Sequence, residues 1–382
     1  MVAAVRRGRA LRAVARQFKV SLFTVQHWDR RAAGQPLDQV AWEDRSHRPQ
    51  RSPSQIAPAM QRRILALRRQ LAQGALGLVG AQAIYDTLQA RKVRPLPCVR
   101  TIGRVLKRHG LLDRPRRPRR RPPPPGWYLP DVAAGCAELE QFDVVEDLAV
   151  EGGPLLDVLT ARALHGAACG SWPGPAALTT DAVLRALAAH WRRHGLPDYA
   201  QFDNDPRFQG SHRHAQALGR VVRFCLALGV SPVFAPPAEH GFQNPSESFN
   251  ALWLQKVWHR FHHASPAALV RRSARFVAAY QQRRAARQAQ APQRRPFPRR
   301  WQFDPKAPLH GQIVFLRRTD EQGTVRLLGR RWPLDRQWPH RLVRAEVDLD
   351  QHCIRFFRLR RQAPEDQPLL QTDPYRWPGH DR

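Results

Sequence analysis

The chain predicts a multidomain protein, with two all-α helix-turn-helix units at the N-terminus, an α/β core in the middle and a small β-barrel at the C-terminus. Three observations carry that expectation. Apolar residues recur at helical spacing as far as Leu112, alternation of strands with helices begins beyond Trp127, and a run of prolines and arginines separates the two regimes. The expected limits are 1–48 and 55–112 for the helical units, 113–130 for a basic Pro-rich linker, 134–288 for the core and 300–362 for the barrel. A length of 382 residues suits two to four domains, and a 42% hydrophobic content is enough to build cores in them.

Charge narrows the partner. Lys and Arg total 63 against 31 acids, a net charge of +32, which makes a field attractive to polyanions and puts nucleic acid first. No apolar run approaches the roughly 20 residues needed to span a bilayer, and no signal-like segment follows Met1, so neither membrane nor export is expected. The five cysteines are scattered and never spaced Cys-x-x-Cys, which argues against both a disulfide framework and a structural zinc site and places the chain in a reducing compartment.

From Arg9 to Ala32, Leu11, Val14, Ala15 and Phe18 share one helical face, Lys19-Val20-Ser21 interrupts it, and Val25 and Trp28 resume it. That is helix, turn, helix. Ser21 is the expected N-cap of the second helix, whose outward positions carry Thr24, Gln26, His27, Arg30 and Arg31, side chains suited to phosphates and base edges in a major groove. The second unit reads as three helices, marked by Ile64, Leu67 and Leu71, by Ala83, Ile84 and Leu88, and by Ile102, Val105 and Leu106. Its last helix carries Arg100, Arg104, Lys107 and Arg108 outward and stops at Gly110, where a C-terminal cap belongs. Two tethered units read a longer duplex than either alone.

Residues 113–125 are too rich in proline for helix or sheet, and their arginines repel one another, so an extended spacer is expected that also suits phosphates. Beyond it the pattern predicts strands over Leu139–Val150 and Leu155–Leu164, a third near Gly166–Trp172, a helix capped by Thr179 or Thr180, a short strand from Tyr199, a helix over Leu218–Leu228 and a strand over Val230–Ala235. Towards the C-terminus, Gln312–Leu316 and Thr324–Leu328 read as one hairpin and Leu342–Leu349 with Cys353–Leu359 as another. Together they would make the barrel, with Arg317, Arg318, Arg326, Arg330 and Arg331 outward.

Three acids stand out in so basic a chain: Asp143 within the first core strand, Asp203 at the end of a later strand, and Glu247 in the first turn of a helix bearing Phe249, Trp253 and Val257. Elements distant in sequence can converge on one site. Hard oxygen ligands at such a site suit Mg²⁺ or Mn²⁺, and a pair of such ions activates water or a 3′-hydroxyl and stabilises the leaving oxygen of a phosphodiester. Asp205 lies two residues beyond Asp203, and Pro206 after it marks the end of the strand, so Asp205 is expected to cap or shape the site rather than join the three.

Several segments resemble transposases of bacterial insertion sequences of the IS481 type, close to IS3, within the DDE or retroviral-integrase superfamily. They are Trp42-Glu-Asp-Arg-Ser-His-Arg-Pro49, Val99–Leu112, Phe202-Asp-Asn-Asp-Pro-Arg-Phe208, and Pro236-Pro with Asn244-Pro-Ser-Glu-Ser-Phe-Asn250. The resemblance implies an RNase H-like α/β catalytic core, Asp143, Asp203 and Glu247 as catalytic residues and ligands of a two-metal Mg²⁺ or Mn²⁺ site, and cleavage followed by strand transfer. It also implies double-stranded DNA as partner, both the element's terminal inverted repeats and the target, a homo-oligomer on that DNA, and a bacterial cytoplasm close to the nucleoid. Some positions depart from the family's pattern: Glu140-Gln141 stand where a tryptophan is usual, Leu159-Thr-Ala-Arg-Ala-Leu164 lacks the usual Asp at the end of the second strand, and Tyr280–Arg287 lacks Pro-His. Two other readings compete with the transferase: a decayed or domesticated copy acting as a DNA-binding regulator, and a nuclease that cuts without joining.

Overall fold

The computed structural model describes residues 1–44, 56–112, 123–150, 153–210, 218–237, 239 and 241–377. The greater part of the expected linker, 113–122, and the connector beyond residue 44 lie outside the described residues. Two compact units emerge, Met1–Pro58 and Ala59–Arg382.

The first unit holds three helices, α1 (Val2–Arg6), α2 (Leu11–Phe18) and α3 (Leu22–Ala32). The second and third are the expected pair, and α1 is an addition too short to show a period. Lys19 takes a left-handed conformation that ends α2, and the Ser21 hydroxyl accepts the Thr24 N–H at 3.0 Å to start α3, as its position foretold. Ala4, Val14, Ala15 and Val25 form one small core, and Val2, Ala32 and Val40 another.

In the second unit, α4 (Pro58–Gln73), α5 (Ala81–Ala90) and α6 (Val99–Arg108) come first. The last ends as expected at Gly110, whose N–H bonds to the Lys107 carbonyl while that of Leu111 reaches Leu106, a Schellman pairing that a left-handed glycine permits. A short α7 (Pro130–Ala133) leads into β1 (Leu139–Ala149), β2 (Leu155–Ala163) and β3 (Cys169–Pro175), an antiparallel meander. Helix α8 (Thr180–His194), capped by Thr179, carries the chain across to β4 (Tyr199–Phe202), parallel to β1 on its other side. Then α9 (Pro206–Gln209) and α10 (Arg220–Ala227) lead to β5 (Ser231–Phe234), parallel to β4. Next come α11 (Asn244–Trp253), a π-helical turn over Leu254–Trp258, and the long α12 (Pro266–Gln288).

The remaining strands are β6 (Gln312–Arg318), β7 (Thr324–Leu327), β8 (Arg330–Pro333), β9 (Leu342–Asp348), β10 (Cys353–Leu359) and β11 (Leu369–Pro374). The expected second hairpin forms, as β9 with β10, but the small barrel does not. The described strands form one sheet in the order β11-β10-β9-β6-β5-β4-β1-β2-β3, with β7-β8 a separate ribbon. The reason lies in β6, where Ile313, Val314, Phe315 and Leu316 are all buried. A strand apolar on both faces belongs in the middle of a covered sheet, not in a wall with a wet side. Phe315 pairs in register with Phe234, and the rings of Phe142, Phe202, Phe234 and Phe315 run across β1, β4, β5 and β6 with successive centroids 5.3, 6.2 and 5.3 Å apart. The first hairpin is also re-paired: β6 bonds to β9, and β7 turns through Leu328-Gly329, both at positive φ, into β8.

Three clusters cover the sheet. Residues of α8, α10 and the β7-β8 ribbon pack on one face, with Trp191, Phe224 and Trp332. Trp127, Tyr128 and Phe242 lie with Val314 and Leu316, whose neighbours Ile313 and Phe315 belong to the first cluster, so β6 alternates between faces. Phe249, Trp253 and Phe276 of α11 and α12 close over β1 and β2. Among the described residues no helix is long and apolar enough to cross a membrane.

Candidate active site

The parallel pairing of β1 with β4 sets Gln141 beside Gln201. Two residues beyond Gln141 comes Asp143, still in β1 and on the face towards α11, because side chains alternate along a strand; two residues beyond Gln201 comes Asp203, just past the end of β4. The glutamines beneath them fix this geometry. Gln141 Nε2 donates to Gln201 Oε1 at 2.9 Å and to the Phe242 carbonyl at 3.0 Å, while its Oε1 accepts the Ser246 N–H at 3.2 Å. Gln201 Nε2 also donates to the Phe242 carbonyl, and Tyr128 donates its hydroxyl proton to Gln201 Oε1. The two amides are fully buried and satisfied, so they tie β1, β4 and the start of α11 into one rigid piece.

Pro245 in the first turn suits the start of α11, and Phe249 and Trp253 bury its far face. Glu247 is left exposed in that turn. Arg162 of β2 donates to the Pro245 carbonyl and pins the same turn.

Asp143 is half-buried. Its Oδ1 accepts the Val144 N–H at 2.9 Å and its Oδ2 the Asn250 amide at 2.8 Å; the Thr160 hydroxyl donates to Asn250 Oδ1 at 2.8 Å. Asn250 follows Glu247 by three positions on the same side of α11, and it is Asn250 that reaches β1. Burial first, then the charges of Asp203 and Glu247, push the Asp143 carboxyl up to about 6, against the two hydrogen bonds that favour its ionised form. Asp203 is likewise raised, mainly by burial, although the Asp205 N–H donates to its Oδ1 at 3.1 Å. Asp205 caps α9, accepting the Arg207 N–H at 2.7 Å, and pairs with the Arg207 guanidinium at 2.6 Å. Arg207 also pairs with Glu146, and with Asp157 at 3.6 Å, so it braces the loop after β4 against the β1-β2 hairpin.

Among the described residues, no group of three or more His, Cys, Asp and Glu side chains is gathered tightly enough to hold a metal ion as it stands. The donor chemistry is that of a hard dication's ligands: Asp143 feels the charges of Asp203 and Glu247, and none of the three is in an ion pair among the described residues.

The residues expected to meet DNA divide by local role. On α3, His27 and Arg30 are exposed, whereas the Thr24 hydroxyl shares a 2.8 Å hydrogen bond with Ser21 and Arg31 donates to the Glu43 carbonyl at 2.6 Å while lying 4.8 Å over the Trp28 ring. Gln26 is half-buried. On α6, Arg100, Arg104, Lys107 and Arg108 all stand exposed, opposite the buried Ile102, Val105 and Leu106. Arg317 differs from expectation: it is half-buried and bonded inward to Asn204 and the Ala235 carbonyl, because β6 is interior.

Gln141, Gln201, Thr160 and Asn250 are site residues that the sequence pattern did not single out. Only Asn250 carried a usable signal, its three-residue spacing from Glu247. The other three depend on strand register.

No family model and no curated protein matches the chain. Among solved structures it is similar to the catalytic core domain of BIV integrase, at 17% identity over 37% of this chain and 81% of that chain, with a TM-score of 0.26. It is also similar to a chain of the simian T-cell lymphotropic virus intasome in complex with PP2A regulatory subunit B56 gamma, at 14% identity over 70% of this chain and 84% of that chain, with a TM-score of 0.32.

Proposed function

We propose that the chain is a DDE-type polynucleotidyl transferase, a transposase of the IS481 type with an RNase H-like core. In this reading it binds the terminal repeats of its own element through α3 and α6, frees a 3′-end by hydrolysis, and joins that end to target DNA. The observation that supports it best is electrostatic: Asp143 in β1 feels the charges of both Asp203, which follows the neighbouring parallel strand β4, and Glu247, in the first turn of α11.

Bound Mg²⁺ or Mn²⁺ would supply the positive charge that favours an attacking oxygen and a departing 3′-oxygen. The carboxylates of Asp143, Asp203 and Glu247 would hold it. Asn250 and the Val144 N–H orient the Asp143 carboxylate, and the Gln141-Gln201 pair holds the turn that presents Glu247. Rigid placement of this kind lowers the reorganisation needed when charge develops on the phosphate. Joining two DNA ends in concert requires more than one copy of the site, so a homo-oligomer assembled on DNA is part of the proposal, and its setting is the DNA of a bacterial cell.

The test is an oligonucleotide assay with duplexes carrying the inverted repeats that flank the reading frame. The transferase reading expects nicked and then joined products with Mg²⁺ or Mn²⁺, and loss of both in Asp203→Asn. Cutting without joining would make it a nuclease. Binding to the repeats with no product at all would make it a regulator.

A further inference from the structure

Helix α4 has no basic residue in its last turn, so nothing of its own answers the negative end of its dipole. The cations come from the core. Arg260 donates from Nη2 to the Ala72 carbonyl at 3.2 Å and from Nη1 to the Gly74 carbonyl at 2.9 Å, and Lys256 Nζ donates to the Gly77 carbonyl at 3.2 Å. Gly77 is buried at φ +52°, and a Cβ there would stand 3.3 Å from Arg260 Nη1 and 3.5 Å from Lys256 Nζ, so the α4–α5 connector lies directly on the two cations. Beside it, Leu76 packs against the cluster that holds Phe249, Trp253, Val257 and Phe276. Asp86 of α5 also pairs with Arg283 of α12 at 3.1 Å, a partly exposed pair that adds little by itself.

Both cations belong to the segment that continues α11. Lys256 lies inside the π-helical turn and Arg260 two residues beyond it. The turn follows α11 without a break, since Trp253 ends the one and Leu254 begins the other, and the His259 N–H closes it on the Leu254 carbonyl at 2.8 Å. Such turns are rare and occur mostly singly within α-helices. This one is held from outside on two sides: by the connector, and by His263, whose Nε2 lies 3.2 Å from the Val257 carbonyl and 3.3 Å from that of Trp258. Upstream, the same helix carries Glu247 and Asn250, the latter bonded to Asp143.

We infer that Lys256 and Arg260 are positioning residues: by gripping the α4–α5 connector they fix the π-helical turn, and through it the setting of α11 with Glu247 and Asn250. The helical unit is thereby part of the support of the site, and by reciprocity whatever shifts α4–α6 also shifts α11. The inference rests on the proposed function only in treating Glu247 as a site residue; the coupling itself requires neither DNA nor metal.

The test is hydrogen exchange read by mass spectrometry on the full chain, without DNA or metal, so that a failed catalytic assay leaves its outcome untouched. The coupling is approached from each side. Lys256→Ala with Arg260→Ala removes the grip from the core, and Gly77→Ala, which sets a side chain at a left-handed position against the same cations, loosens it from the connector. In both variants exchange should rise about 10-fold in residues 72–80 and in α11, while β1 and β2 keep wild-type rates. If residues 72–80 open and α11 exchanges as in the wild type, the connector is packing alone and the inference is overturned. It is overturned as well if α11 quickens in the double variant but not in Gly77→Ala, since the cations would then act only within their own segment, or if neither variant changes exchange in either place. Should the double variant lose protection throughout the chain, Gly77→Ala decides by the same criteria.

Discussion

Strand β1 carries two acids three residues apart that meet opposite fates. Glu140 points to the α8 side and is wholly buried, but His190 Nε2 lies 2.7 Å from its Oε1, Trp191 Nε1 donates to its Oε2 at 2.9 Å, and the Arg294 guanidinium bonds to both oxygens at 3.3 Å. Although burial alone would raise it, Arg294 and His190 hold its carboxyl well below the usual range. Asp143 points to the α11 side and is less buried, yet burial and then the charges of Asp203 and Glu247 push its carboxyl up to about 6. The acid that the fold pairs with cations is held ionised; the acid that it sets beside other acids is ionised at a cost.

The largest effect should come from breaking the first arrangement. Glu140→Gln leaves Arg294 buried without its counter-charge, and losing one partner of a buried pair costs about 3–5 kcal/mol. Urea unfolding at pH 7 measures it. The sign with pH follows from the depressed carboxyl: its stabilisation is present above the unfolded value of 4.5 and disappears as pH falls below it, so the variant's deficit should shrink in acid. A deficit that stays constant from pH 7 to pH 3 would mean that Glu140 acts through shape alone.

Asp143→Asn should do the reverse. A raised carboxyl binds more protons folded than unfolded between 3.8 and about 6, so its ionisation costs stability as pH rises through that window. Removing the charge should stabilise the fold by about 1–3 kcal/mol at pH 7, with little gain at pH 4, while abolishing strand transfer. Equal stability of variant and wild type at pH 7 would show that the half-buried carboxylate is not under electrostatic stress.

This contrast also explains what the sequence could disclose. Caps were readable, because Ser21, Thr179 and Gly110 act on backbone groups within a few residues. The elements that carry Asp143, Asp203 and Glu247 were readable from the local pattern, whereas the hydrogen bonds beneath them were not: Gln141 meets Gln201 sixty residues away through register. The replacement of a tryptophan by Glu140 was visible as a departure, but its compensation by Arg294 spans 154 residues and follows no local rule. The barrel expectation failed for the same reason. Local alternation marks a strand, yet which strand it joins depends on faces that only the assembled sheet covers.

A smaller effect separates position from charge. Asn250→Ala removes the amide that favours ionised Asp143 and leaves the Thr160 hydroxyl with only the Asp143 carbonyl, at 3.1 Å. The cost in stability should be about 1–2 kcal/mol. More telling is the pH profile of strand transfer: with one favourable hydrogen bond gone, the acid limb should move to higher pH, and Asn250→Asp should not restore it because it adds a fourth negative charge. An unmoved limb would reduce Asn250 to a packing residue.

The smallest effect, and the most discriminating for the open side of β1, is stabilisation by divalent metal. If the carboxylates are uncompensated because a cation belongs among them, Mn²⁺ at ten times its dissociation constant should add about 1.4 kcal/mol to the wild-type fold at pH 7.5. It should add nothing to Asp143→Asn, which already lacks the charge. Protons and metal compete for the same oxygens, so the gain should fall as pH drops through the Asp143 value of about 6. Glu140→Gln should show the full gain from a lower starting point, because its cluster lies on the opposite face of the strand. A metal effect equal in all three proteins would place the ion elsewhere and remove the link between electrostatic stress at Asp143 and chemistry there.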